Sequence, residues 1–93
     1  MLNDNPLLAF LGRRGRGAVV EALRRNPGRF LHVRELARLA DVAPMVASRA
    51  IREMDRLRAA ELSRRGRLVA VRLDPRTPAG GFLASVQVPD PPF

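Results

Sequence analysis

A chain of 93 residues that contains 17 arginines, no lysine and nine acidic residues has a formal net charge of +8 at pH 7, which favours a polyanionic partner. The length allows one small hydrophobic core and excludes a deep cleft between two catalytic lobes. Because there is no cysteine and only one histidine, the sequence excludes disulfides, thiolate catalysis, thiol redox sensing and a multi-histidine metal site.

The chain begins with a short predicted helix. Residues 3–5, Asn-Asp-Asn, precede Pro6, a pattern typical of a helix cap with proline in the first turn. An apolar patch follows, made of Leu7, Leu8, Phe10 and Leu11. We expect residues 1–11 to form an N-terminal helical extension that contacts a second copy of the chain.

A second helix is predicted after residues 12–17, GRRGRG. Each glycine inside a helix costs about 1 kcal/mol relative to alanine, so this segment favours a flexible helix start. Arginine–glycine segments also bind RNA, an alternative that six residues support only weakly. The apolar stripe of the helix is predicted to contain Ala18, Val19, Ala22 and Leu23. Residues 26–28, Asn-Pro-Gly, should end it.

Residues 30–32 predict a brief extended piece that leads into a third helix. His32 stands where a side chain would cap the start of that helix. We expect Arg34 and Arg38 to point outward, where they would contact backbone phosphates of a nucleic acid. The inner face is predicted to consist of Leu36, Leu39, Ala40 and, at the following turn, Val42.

A fourth helix is expected to begin at Pro44, because proline suits the first helical turn. Residues 41–43 are predicted to form the short turn that ends the third helix. Its residues separate into two faces at helical spacing. The apolar face is predicted to contain Ala47, Ala50, Ile51, Met54 and Leu57. The exposed face is predicted to contain Met45, Ser48, Arg49, Arg52 and Arg56.

The arginines of that exposed face allow two interpretations. Arg52 and Arg56 lie four residues apart and repel each other by about 0.2–0.5 kcal/mol in an isolated helix, a cost that a bound polyanion removes. This favours contact with a nucleic acid. The alternative is a solvated surface of ion pairs, in which Glu53 pairs with Arg49 and Asp55 pairs with a neighbouring arginine.

Two strands are predicted within residues 62–73, joined by a turn at Arg65-Gly66. Val69 and Val71 alternate with more polar or smaller residues, as in a strand with one buried face. The tip of this hairpin carries three arginines, which are Arg64, Arg65 and Arg67.

In this order, the predicted elements resemble the winged helix-turn-helix domains of ArsR-like and MarR-like bacterial transcription regulators. The resemblance covers residues 12–76 and depends on three stretches, VRELARLADVAP, SRAIREM and RRGRLVAVRLDP. It implies a mainly α fold with a small β-hairpin (α+β). It further implies that recognition helix 44–58 enters the major groove of DNA and that the arginine wing, 63–68, contacts the flank.

By position, the resemblance implies a set of DNA-binding residues on three elements. They are Arg34, Arg38, Pro44, Met45, Val46, Ser48, Arg49, Arg52, Arg64, Arg65 and Arg67. Met45 and Val46 stand where related sequences often have serine or threonine, so only apolar contacts, such as those to thymine methyl groups, remain there. The metal-binding cysteines of ArsR-like sensors are absent, and we expect neither a metal nor another cofactor.

Residues 77–93 form a proline-rich tail with one predicted strand, 82–88, in which apolar residues alternate. A lone strand needs a partner, which would be the hairpin sheet, a second protomer, or another protein joined by strand addition. The alternative is a linker into a further domain.

Together these patterns predict a cytoplasmic, nucleoid-associated regulator of transcription that binds double-stranded DNA sequence-specifically as a homodimer. No apolar run approaches the ~20 residues of a membrane span, and no signal peptide is evident. An enzyme is not expected, because no serine or threonine has a histidine and a carboxylate at suggestive spacing. Two alternatives remain, a winged-helix protein–protein interaction module without DNA readout and the DNA-binding head of a longer effector protein.

Overall fold

The computed structural model describes residues 5–86, in which five helices pack with a three-stranded antiparallel sheet. The helices are α1 (Pro6–Leu11), α2 (Arg16–Arg24), α3 (Val33–Ala40), α4 (Pro44–Arg56) and α5 (Pro78–Ser85). The strands are β1 (Leu31–His32), β2 (Ala60–Arg65) and β3 (Leu68–Leu73), in the sheet order β1-β3-β2. The prediction of a mainly α chain with a small β-hairpin (α+β) is confirmed.

The first two helices begin where local chemistry requires. Asn5 Oδ1 accepts a hydrogen bond from the Leu7 amide at 2.9 Å, with Pro6 in the first turn, which confirms the predicted cap. Gly15 precedes α2 with φ of 79°, and a Cβ at this position would lie 2.7 Å from a side-chain carbon of Val46. Glycine is therefore required there by both conformation and space.

A turn at residues 41–43 joins α3 to α4. Asp41 ends α3 in the left-handed conformation, with φ of 55°, and α4 begins at Pro44 as predicted. His32 is the N-cap residue of α3, but its side chain makes no capping hydrogen bond. At the other end, α4 stops two residues short of the predicted 58, because Arg58 adopts φ of 60°.

The α4 apolar face is confirmed, with four buried residues, Ala47, Ala50, Ile51 and Met54. In the apolar faces predicted for α2 and α3, one position each is wrong. In α3 Leu39 is 49% exposed and Ala37 is buried in its place, and in α2 Ala18 is exposed whereas Val20 is buried. Adjacent residues of a helix differ in direction by about 100°, so the neighbours that each helix packs against decide which of two nearby apolar residues is buried.

The sheet confirms the predicted hairpin. Arg65 pairs with Leu68, so the two-residue loop is Gly66-Arg67, one residue later than the predicted turn at Arg65-Gly66, and Gly66 has φ of 61°. Glycine is favoured at this first central position of a two-residue loop. Strand β1 adds to the far side of β3, where Leu31 pairs with Val71, and both side chains are fully buried.

The predicted tail strand, 82–88, is wrong over its described part, because residues 78–85 form α5; positions 87 and 88 lie outside the described residues. The Thr77 hydroxyl accepts a hydrogen bond from the Gly80 amide at 3.0 Å and caps the helix. Leu83 is fully buried, and α5 packs on α2 and β3. A short apolar run is compatible with the period of a strand and with that of a helix. The capping threonine and the packing partners therefore decide which of the two forms.

The first helix is part of the same core. Phe10 is buried there, and Leu7 and Leu11 pack partly against it, which leaves Leu8 as the large exposed apolar residue of α1. Residues 1–4 of the segment predicted to contact a second copy lie outside the described residues, and the apolar side of its remaining part is used largely within the chain. None of the helices within residues 5–86 combines the length and the apolar character that a membrane crossing requires.

Candidate nucleic-acid interface

A surface groove of about 770 Å³ lies between the first half of α4 and the tip of the β2–β3 hairpin, and the start of α3 forms its third side. We call it the helix–hairpin groove. It is lined by His32, Val33, Arg34, Pro44, Met45, Ser48, Arg52, Arg67, Leu68 and Val69. A smaller cleft of about 290 Å³ shares Ser48 and Arg52 with it and extends to Arg64.

Three arginines from three separate elements line this groove. Arg34 belongs to α3, Arg52 to α4 and Arg67 to the hairpin loop, and all three are exposed. None of their guanidinium groups forms an ion pair or a hydrogen bond with another residue within 5–86. Three uncompensated positive charges therefore surround one opening, where a bound anion would be stabilised by all of them.

The arginines of the described residues divide into a paired and an unpaired group. Among residues 5–86, seven arginines pair with five carboxylates, and those arginines are Arg13, Arg16, Arg24, Arg25, Arg29, Arg72 and Arg76. Within the described part of the chain, the arginines without such a partner are Arg14, Arg34, Arg38, Arg49, Arg52, Arg56, Arg58, Arg64, Arg65 and Arg67. Six of these ten lie on the exposed face of α4 or at the hairpin tip, two lie on α3, and Arg14 and Arg58 lie outside the helices.

Glu53, which the sequence places within reach of Arg49, instead binds two arginines outside α4. Glu53 accepts hydrogen bonds from Arg16 Nε at 2.9 Å and Arg16 Nη2 at 3.0 Å, and a third from Arg13 Nη1 at 2.8 Å. Asp55 forms no ion pair with a residue in 5–86. The interpretation of α4 as a surface of paired charges is therefore wrong for Arg49 and Arg52.

The Glu53 cluster anchors the flank of α4 that faces away from the hairpin. The Arg16 and Glu53 side chains are 10% and 18% exposed, so this pair is mostly removed from water. The hydrogen bond from Arg16 holds the pKa of Glu53 below its ordinary value, although burial opposes the shift. The cluster joins α4 to the start of α2, because Glu53 belongs to α4 and Arg16 is the first residue of α2. Arg16 also donates to the backbone oxygen of Arg14 at 3.1 Å.

The structure brings together six of the eleven predicted site residues in the groove, which are Arg34, Pro44, Met45, Ser48, Arg52 and Arg67. Arg64 lines the adjoining cleft. Arg49 is exposed on α4 and Arg38 on α3, both outside the groove. Val46 is half-buried and lies beside Gly15, on the flank away from the hairpin. Arg65 faces the other side of the hairpin, near Phe30 and His32.

Sequence reasoning missed the apolar part of the groove that comes from the hairpin. Leu68 is 60% exposed and lines the groove opposite Met45, which is 63% exposed. The signal that could have found it is an exposed leucine directly after the tip arginines, at the residue that pairs with Arg65. The groove therefore combines a cationic border with an apolar surface.

No family model, curated protein or solved structure matches this chain. Within residues 5–86, no three histidine, aspartate or glutamate side chains come together in a way that could hold a metal ion.

Proposed function

We propose that this chain is a sequence-specific regulator of transcription that binds double-stranded DNA, and that its fold is a winged helix-turn-helix. In this proposal α3 and α4 are the helix-turn-helix pair, α4 is the recognition helix, and the β2–β3 hairpin is the wing. The observation that carries it is the convergence of Arg34, Arg52 and Arg67 on one groove, with no carboxylate partner among the described residues.

The charges support a polyanion in preference to a small anion. The unpaired arginines extend beyond the groove onto the exposed side of α4 and over both faces of the hairpin tip. A duplex carries one phosphate charge per about 1.7 Å of its axis, so it is long enough and charged enough to meet all of them. Arginine forks also match phosphate oxygens and guanine edges.

The proposal assigns a role to each group of residues. Arg49 and Arg52 contact base edges or nearby phosphates in the major groove. Arg34 and Arg38 contact backbone phosphates and set the register of the protein on the duplex. The wing contacts the flank through Arg64, Arg65 and Arg67. We place this activity in the cytoplasm, on the nucleoid.

The first test is the salt dependence of binding. Arg52→Ala should weaken binding to duplex DNA about threefold to tenfold and reduce the slope of log affinity against log salt by about 0.9, the value for one lost phosphate contact. Fluorescence anisotropy with a labelled duplex at several KCl concentrations measures both quantities. If Arg52 instead reads a base, affinity should fall more on the preferred duplex than on a scrambled one.

The matched control is Arg25→Ala. Arg25 is exposed, lies outside the groove, and has one long contact of 3.8 Å with Glu21, so the variant removes the same formal charge elsewhere. We expect its affinity and slope to stay close to those of the unchanged protein. Equal losses in the two variants would mean that net charge alone, and not the groove, determines binding.

We further propose that the protein binds DNA as a homodimer, which would place two half-sites about 34–36 Å apart. A duplex with two copies of the preferred half-site at this spacing should bind two chains with higher affinity than a single half-site. Sedimentation of the complex gives the stoichiometry. One chain on the two-site duplex at saturation would contradict the homodimer and leave the DNA-binding proposal intact.

One observation favours a second candidate function. Met45 and Leu68 are exposed apolar residues in the groove, as in a surface that docks an acidic, apolar segment of another protein. In that case the chain is a winged-helix interaction module without DNA readout. The absence of measurable duplex binding at low salt would support this second candidate over the first.

A further inference from the structure

We infer that Met45 contacts the C5-methyl group of a thymine in the major groove, and so selects thymine over uracil or cytosine at one position of the bound duplex. The inference rests on the proposed function and deepens it. It names the base feature that α4 distinguishes through an apolar contact.

The position and exposure of Met45 are the first support. Met45 lies in the first turn of α4, lines the helix–hairpin groove between Pro44 and Ser48, and is 63% exposed. Four large apolar side chains are exposed in residues 5–86, and two of them, Met45 and Leu68, lie in this one groove. Covering an exposed apolar side chain of this size removes it from water and lowers the free energy of the complex.

The charges around Met45 identify what covers it. Arg34, Arg52 and Arg67 line the same groove and have no carboxylate partner within 5–86. A purely apolar protein segment would leave these guanidinium groups without counter-charges, and the acidic, apolar segment of the second candidate function remains the alternative that the test below separates. A duplex supplies phosphates for them and, on its base edges, an apolar group for Met45.

The chemistry of the major groove then selects the base. Among the four bases, only thymine presents a methyl group there, whereas the others present hydrogen-bond donors and acceptors. Methionine suits this contact because its thioether chain is flexible and polarizable. Ser48 and Arg52, one turn or two turns further along α4, offer hydrogen bonds to neighbouring edges or phosphates.

The test uses deoxyuridine, which lacks only the methyl group of thymidine. Duplexes that bind the protein are selected from a random pool, and the preferred duplex is then rebuilt with one thymidine at a time replaced by deoxyuridine. At one position we expect binding to weaken about fourfold, the value for losing one buried methyl contact. The Met45→Ala variant should bind the thymidine duplex more weakly and should not distinguish the two duplexes.

Leu39→Ala is the control, because Leu39 is an exposed apolar residue on α3 that does not line the groove. This variant should keep the full discrimination. Met45→Ala should remain folded, since its side chain is exposed and alanine favours helix, and circular dichroism verifies this. The inference is overturned if Met45→Ala still distinguishes the thymidine duplex from the deoxyuridine duplex. It is also overturned if no single replacement of thymidine by deoxyuridine weakens binding. Either result leaves the proposed function intact. If the unchanged protein binds no duplex, the proposed function itself fails.

Discussion

Gly80→Ala is expected to destabilise the protein by more than about 3 kcal/mol, although it adds a single methyl group. A Cβ at Gly80 would overlap the backbone oxygen of Asp74 and would lie 2.7 Å from the backbone oxygen of Ala59. Both obstacles are backbone atoms, and the Asp74 amide donates to that Ala59 oxygen at 3.0 Å, so neither can move alone. To relieve the overlap, α5 must move away and expose Leu83, which is fully buried.

Urea unfolding followed by circular dichroism measures this change. Gly12→Ala is the control, because Gly12 has φ of −74° and a Cβ there would make ordinary contacts at 3.5 Å and 3.6 Å. We expect the control to change the free energy of unfolding by less than about 1 kcal/mol. Similar unfolding midpoints for the two variants would show that α5 does not pack as closely as described.

Glu53→Gln is expected to lower the free energy of unfolding by about 2–3 kcal/mol. The variant keeps the shape of the side chain but removes the charge that Arg16 and Arg13 contact at 2.8–3.0 Å. Arg16 would then remain mostly buried without a counter-charge. Because the pair links α4 to the start of α2, its loss weakens the support of α4 as well.

The pH dependence of this effect has a definite sign. Arg16 lowers the pKa of Glu53 in the folded protein below the ordinary value of 4.5, so the folded state holds this proton less tightly than the unfolded state. The stabilisation is therefore complete above the unfolded pKa and is lost as the pH falls from about 4.5 through the folded value. The difference in stability between the unchanged protein and Glu53→Gln should shrink over that acid range.

Urea midpoints measured from neutral to acid pH provide the comparison. Glu35→Gln is the matched control, since Glu35 has one ion pair with Arg29, whose side chain is 60% exposed. An exposed pair of this kind contributes about 0–1 kcal/mol, so the control should change little. A constant difference for Glu53→Gln in acid, or an equal loss in Glu35→Gln, would refute the role given to the buried pair.

The sequence by itself determined the features that depend on neighbouring residues. The start of α1 at Pro6, the start of α4 at Pro44 and the hairpin loop at Gly66 follow from capping, proline and turn preferences that act within a few residues. The two faces of α4 also follow from its helical period alone. Much of the candidate site could be predicted for this reason, since α4 and the hairpin carry most of it.

Only the tertiary structure decided which of the 17 arginines remain free. Arg16 and Glu53 are 37 residues apart in the chain, so no local pattern predicts that Glu53 turns away from Arg49. In the same way, the helix over 78–85 depends on the space that α2 and β3 leave beside it. Ion pairs and packing partners of this kind join distant segments, and their geometry exists only once the chain has folded.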